Sequence, residues 1–160
     1  MANLRDVLVY FCKKYPHPGE LSNARLTKMV YLADWRSAIE RGRQLSDVEW
    51  YFNHYGPYVK DVLETARADD AFVLRSEANV FGADKTVIGV KPSADNPTLN
   101  AEDQEILDFV IHRTERLYWG DFLKLVYSTY PILTQSRYTY LNLGKLAREY
   151  AEDKGVFEST

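Results

Sequence analysis

Trp50-Tyr51-Phe52-Asn53-His54-Tyr55-Gly56-Pro57-Tyr58-Val59 places five aromatic rings around a Gly-Pro pair. Gly56 can adopt a positive φ without a Cβ penalty, and Pro57 fixes φ near −65°. Proline is also tolerated at the first position of a helix, where no amide donor is needed. The spacing predicts that an extended aromatic segment stops at Tyr55, turns at Gly56 and starts a helix at Pro57. Bulky, semi-polar side chains then stand beside an interhelical cleft, a geometry suited to recognition more than to catalysis. Trp50, Tyr51, His54, Tyr55 and Tyr58 are therefore the candidate partner-binding residues.

Working back toward the N-terminus, Leu4, Val7, Leu8 and Phe11 recur at i, i+3, i+4, i+7, with Asn3 as N-cap and Asp6 in the first turn. Pro16-His17-Pro18-Gly19 ends that helix. A second helix is predicted over residues 22–41, with Ser22 as N-cap and Gly42 as stop. Leu26, Met29, Val30 and Ala33 form its stripe, and Tyr31, Trp35 and Ala38 widen the face. A helix apolar over so much of its circumference belongs at the centre of the fold.

Beyond the aromatic run, a third helix is expected over residues 57–68, with Val59, Val62, Leu63 and Ala66 spaced for burial. Phe72-Val73-Leu74-Arg75 and Thr86-Val87-Ile88-Gly89-Val90 are rich in β-formers, with a turn signal at Gly82 between them. Asn100 caps a helix whose predicted stripe is Ile106, Phe109, Val110 and Leu117. Further helices are expected over residues 121–130, stopped by Pro131, and 142–150, with Leu143, Leu146, Ala147 and Tyr150 in register. The pattern predicts a mainly α fold: one domain of about six helices with a small antiparallel β-hairpin or three-stranded insertion near residues 71–91.

Composition narrows the function. The 160 residues are 46% hydrophobic and 27% charged, with a formal net charge of −3. That balance argues against bulk nucleic-acid binding, which needs clustered cations to displace counterions. No apolar run approaches the ~20 residues of a membrane helix, and the N-terminal segment lacks a signal-peptide pattern. Cys12 stands alone, so neither a disulfide framework nor a multi-cysteine zinc site is expected, and the setting is cytoplasmic. Twelve tyrosines are the compositional oddity. They suit either an interface or a small core whose hydroxyls reach the surface.

Little in the sequence is arranged for chemistry. His17, His54 and His112 form no H-x-x-x-H pair, and no phosphate-binding loop or nucleophile elbow occurs. No metal or cofactor is expected. His54 with Tyr51 and Tyr55 supports an alternative reading, a small hydrolase or nucleotide-handling enzyme with His54 as general base. The competing account packs the imidazole at the turn. Arg36, Arg41 and Arg43, with Lys28, support a second alternative, a nucleic-acid-binding regulator. Cations at a helix C-terminus also simply offset the macrodipole.

Leu26-Thr27-Lys28-Met29-Val30-Tyr31-Leu32-Ala33, then Gly42, Trp50 and Tyr55-Gly56-Pro57, resembles the Panacea antitoxin domain, also called SocA-like. The likeness is strongest over residues 20–70. A weaker echo is Leu123 followed eight residues later by Pro131. Met29 and Val30 stand where leucine is usual, and Tyr58 where a small β-branched residue is common. The resemblance implies one Panacea-like domain over 1–160, a bacterial or phage antitoxin module and not an enzyme. Its implied partner is a protein toxin encoded nearby, neutralised by binding or delivered to a protease or chaperone system. It also implies that Leu26, Lys28, Tyr31, Gly56 and Pro57 are structural motif positions.

Overall fold

Helix caps written in the sequence fix the first elements of the fold. In the computed structural model, which describes residues 1–78 and 84–159 and side chains as far as residue 153 apart from that of Asp84, α1 spans Leu4–Lys14. The Asn3 side chain accepts from the Arg5 amide at 2.9 Å. Next, a single 3-10 turn, Pro18–Glu20, leads into α2, Asn23–Arg41. Ser22 accepts from the Arg25 amide, and Gly42 ends the helix at φ 76°, the left-handed conformation that glycine adopts without strain.

α2 is the centre of the fold, as its broad apolar face predicts. Leu26, Met29, Val30, Tyr31 and Ala33 are all fully buried. After it come β1 (Trp50–Asn53), β2 (Gly56–Pro57), α3 (Asp61–Arg67), β3 (Phe72–Ala78) and β4 (Asp84–Val90). The chain continues with α4 (Ala101–Thr114), α5 (Trp119–Tyr127), α6 (Tyr130–Thr134), β5 (Tyr140–Leu141) and α7 (Leu143–Ser159). α2 packs against α1, α3, α4, α7 and β4.

The fold is mostly helical, with seven α-helices among the described residues and two small antiparallel sheets. β3 and β4 form the expected hairpin, Phe72 opposite Val90 and Ala78 opposite Asp84. The Gly82 turn lies outside the described residues. A bridge from Ser22 to Val87, with the Ile88 amide donating to the Leu21 carbonyl at 2.8 Å, ties the hairpin to the start of α2. The three-stranded sheet lies elsewhere. It is built by the aromatic run itself, in the order β2-β1-β5.

Two prolines do the opposite of what their local context suggests. Pro57 does not open a helix. It lies in β2 opposite Phe52, and the Tyr58 amide donates to the Tyr51 carbonyl at 3.0 Å. The segment thus folds back as a hairpin, and α3 begins only at Asp61. Pro131 does not stop a helix; it sits in the first turn of α6, where its missing donor costs nothing. The expected helix over 121–130 is therefore two helices, α5 and α6. α7 in turn runs past the expected end at residue 150.

Phe109 also departs from its expected place. The buried face of α4 is Asp103, Ile106, Leu107, Val110, Ile111 and Thr114. That three-four spacing rotates Phe109 away from the core, where it is 42% exposed beneath the Arg36 guanidinium at 4.1 Å. Leu117 lies beyond the helix end and is only partly buried.

Gly56 has φ 93°, and a Cβ built there would meet Tyr127 Cε1 at 3.0 Å. Both terms oppose a side chain. Gly56→Ala is expected to destabilise by more than about 1 kcal/mol, lowering Tm by about 2–4 °C or more. An unchanged melting temperature would refute this account of the corner.

Candidate functional site

β1 alternates between two environments because successive side chains point to opposite faces. Trp50 and Phe52 face inward, while Tyr51 and Asn53 face outward. Trp50 is fully buried, and its indole nitrogen donates to Asp34 Oδ2 at 2.7 Å. The ring of Tyr31 meets it edge-on at 5.5 Å. Of the five candidate partner-binding residues, Trp50 alone has no exposed surface. Any contact face at the corner is built from its neighbours.

Asp34 is the anchor beneath. Its carboxylate accepts from the Ser46 amide, the Ser46 hydroxyl and the Trp50 indole, each at 2.7 Å. Gln44 approaches at 3.4 Å and also donates to the Val48 carbonyl at 2.8 Å. Burial pushes the Asp34 carboxyl up to about 6, against the downward pull of those donors.

The rim carries the remaining aromatics. Tyr51 packs edge-on against Tyr140 of β5 at 5.1 Å. His54 meets the Tyr55 ring at 4.6 Å, and its Nδ1 lies 3.2 Å from the Tyr138 hydroxyl. Tyr58, half-buried, receives a hydrogen bond on its hydroxyl from Asn23 Nδ2 at 3.2 Å. Tyr55, Tyr138 and Tyr140 are 74%, 58% and 72% exposed. Tyr138 holds φ 68°, unfavourable for a bulky residue. It is held there by its amide, which donates to the Phe52 carbonyl at 2.6 Å, and by the Phe52 amide, which donates to Thr139. Arg137 donates to the His54 carbonyl at 3.3 Å and lies over the Phe52 ring.

Sequence reasoning missed Asp34, Arg137, Tyr138 and Tyr140. Asp34 had a signal, a lone carboxylate on the apolar face of α2. Tyr138 and Tyr140 had only their two-residue alternation, far along the chain from the strand they join.

The motif residues are interior. Leu26 and Tyr31 are fully buried, and the Tyr31 hydroxyl bonds Thr129 Oγ1 at 2.8 Å. Gly56 and Pro57 are buried against Tyr127 and Phe52. Lys28 is 2% exposed and forms no ion pair among the described residues. Burial lowers its ammonium to about 8.

The geometry bears on both alternatives. His54 stands at the surface and pairs with no carboxylate among the described residues, so the corner does not present a general base in a pocket. Arg36 lies 2.7 Å from Glu40, off the hydrogen-bond direction. Arg41 is held by Asp103 at 3.0 Å and by Ser37. Among the described residues, Arg43 is the one of the three that is exposed and has no such partner, while Arg36 and Arg41 each lie beside a carboxylate. Among the described residues no three His, Cys, Asp or Glu side chains converge on a metal position.

Lys28 yields a signed pH prediction. Its folded pKa lies below the usual lysine value, so the cost of a buried charge is full below about pH 8 and fades as pH rises toward 10.5. Lys28→Met should be more stable than wild type at pH 7, by up to about 3 kcal/mol. The gap should close toward pH 10 in urea unfolding. A variant less stable at pH 7 would show that the amine is compensated.

No curated protein and no solved structure matches this chain. A family model does, described as antitoxin SocA-like, Panacea domain, over residues 26–131. That span takes in α2 from Leu26 onward, Asp34 and the Trp50–Tyr58 run, stops short of Tyr138 and β5, and covers well over half of the sequence. The chain belongs to the SocA-like, Panacea-domain antitoxin family.

Proposed function

We propose that this protein acts as one domain that neutralises a toxin encoded beside it, by direct contact through the exposed rings of the corner. Tyr51, His54, Tyr55 and Tyr58 contribute, joined by Tyr138 and Tyr140. The observation that carries the reading is the pairing of exposed rings with a buried anchor. Tyr55, in the turn between β1 and β2, and Tyr140, on β5, stand more than two-thirds exposed beside a sheet whose inward Trp50 is hydrogen-bonded to Asp34. Large aromatics on a rigid support give contact area at low entropic cost. The antitoxin family supplies the partner class, and it accords with a protein that binds instead of catalysing. The encounter belongs in the cytoplasm, in keeping with Cys12, a buried free thiol.

Two fates of the bound toxin are distinguished by its half-life in cells. Masking leaves the toxin level unchanged, whereas delivery to a protease or chaperone system shortens it.

The test co-expresses the neighbouring reading frame with wild type, Tyr55→Ala and Tyr140→Ala. Both rings are exposed, so melting temperatures should hold. Each truncation at the centre of an interface costs about 2 kcal/mol, roughly thirtyfold in affinity, and should weaken growth rescue. Folded variants that bind and rescue like wild type would remove this surface from the mechanism.

A further inference from the structure

We propose that the corner receives a basic segment of its protein partner, with lysine or arginine side chains laid between the tyrosine wall and α3. This rests on the reading of the corner as the partner-binding face. A groove of about 600 Å³ runs there. Tyr51, Tyr58 and Tyr140 line it together with Asp61 and Glu64 of α3. Asp47 and Glu49, from the loop before β1, complete it. A second groove, of about 580 Å³, shares Asp47, Asp61 and Glu64 and extends the surface toward the N-terminus.

The charge of this surface is one-sided. Lys60 is the cation lining the first groove, against four carboxylates. The second groove is lined by Met1, which carries an amine, and by Arg5, which is already engaged by Asp69 at 2.8 Å and by Asp6. Among the described residues none of the four carboxylates forms an ion pair. Asp61 and Glu64 lie in the first turn of α3, where the macrodipole accounts for them. Asp47 and Glu49 arrive from a separate segment, and no helix end explains them. Two segments thus bring like charges together on a chain that is already net negative, an arrangement a cation relieves.

The tyrosines set the partner's chemistry further. A guanidinium or ammonium over an exposed ring gains from the ring quadrupole, and a neighbouring carboxylate adds a charge-assisted hydrogen bond. A neutral or acidic segment gains neither, and an acidic one is repelled.

Panning a random-peptide display library against the whole protein tests this without knowledge of the toxin. The counter-selection uses the double variant Asp47→Lys, Glu49→Lys, whose positions are exposed. Enriched peptides should share lysine or arginine. Their affinity should fall as salt is raised and drop about tenfold on the charge reversal. Tyr140→Leu, which keeps apolar area but removes the ring, should also weaken them, with melting temperature unchanged in both variants. The proposal falls if no peptide enriches, if the consensus is neutral or acidic, or if binding ignores both changes. Growth rescue without basic peptides would sink this inference alone, and basic peptides without rescue would sink only the antitoxin reading of the corner.

Discussion

The corner depends on one buried carboxylate. Asp34, mid-helix in α2 and without solvent contact, holds Ser46 through backbone and side chain and Trp50 through its indole. Removing a carboxylate from water costs several kcal/mol, and donors at short distance are what make it tolerable. In return the loop from Gln44 to Trp50 is fixed to the central helix, which sets the inward phase of β1. Slipping that strand by one residue would send Tyr51 into the core and Trp50 into solvent. The single contact thus decides which rings are structural and which are offered outward.

Elements whose signals are local were legible in the sequence. Asn3, Ser22 and Asn100 each cap the helix they precede, and Gly42 ends α2, because capping uses only neighbouring amides. The β3–β4 hairpin was legible for a similar reason, two β-rich runs close in sequence. Pro57 and Pro131 were misread because a proline without a donor fits a helix start, an edge strand or a helix stop equally well. Pro57 pairs with β1, which is itself completed by the distant β5, and Pro131 falls just after α5 has already ended at Tyr127. The face of α4 was misjudged by one position, enough to turn Phe109 from core to surface.

The site was half legible for the same physical reason. The Gly-Pro run announced a turn among aromatics, and Gly56 does adopt the positive φ that the turn needs. Nothing in the run said that Trp50 would find a carboxylate on α2. Nor did it say that β5 would complete the sheet and add Tyr138 and Tyr140. Lys28 is a different case. Its side chain is 2% exposed and forms no ion pair among the described residues, a break with local consistency of the kind that marks strained or functional positions.

The two-residue period of β1 separates the residues that pack the core from those that face outward. Trp50 and Phe52 carry the packing, so changes there unfold the corner. Tyr51 and the turn residues His54 and Tyr55 carry little of the core, so changes there alter the surface and leave the anchor intact. A module built this way can retain Asp34, Trp50 and Gly56 while its outward residues vary with the partner. The inner face sets the geometry through Asp34 and Trp50, and the outer face can change in composition without disturbing it.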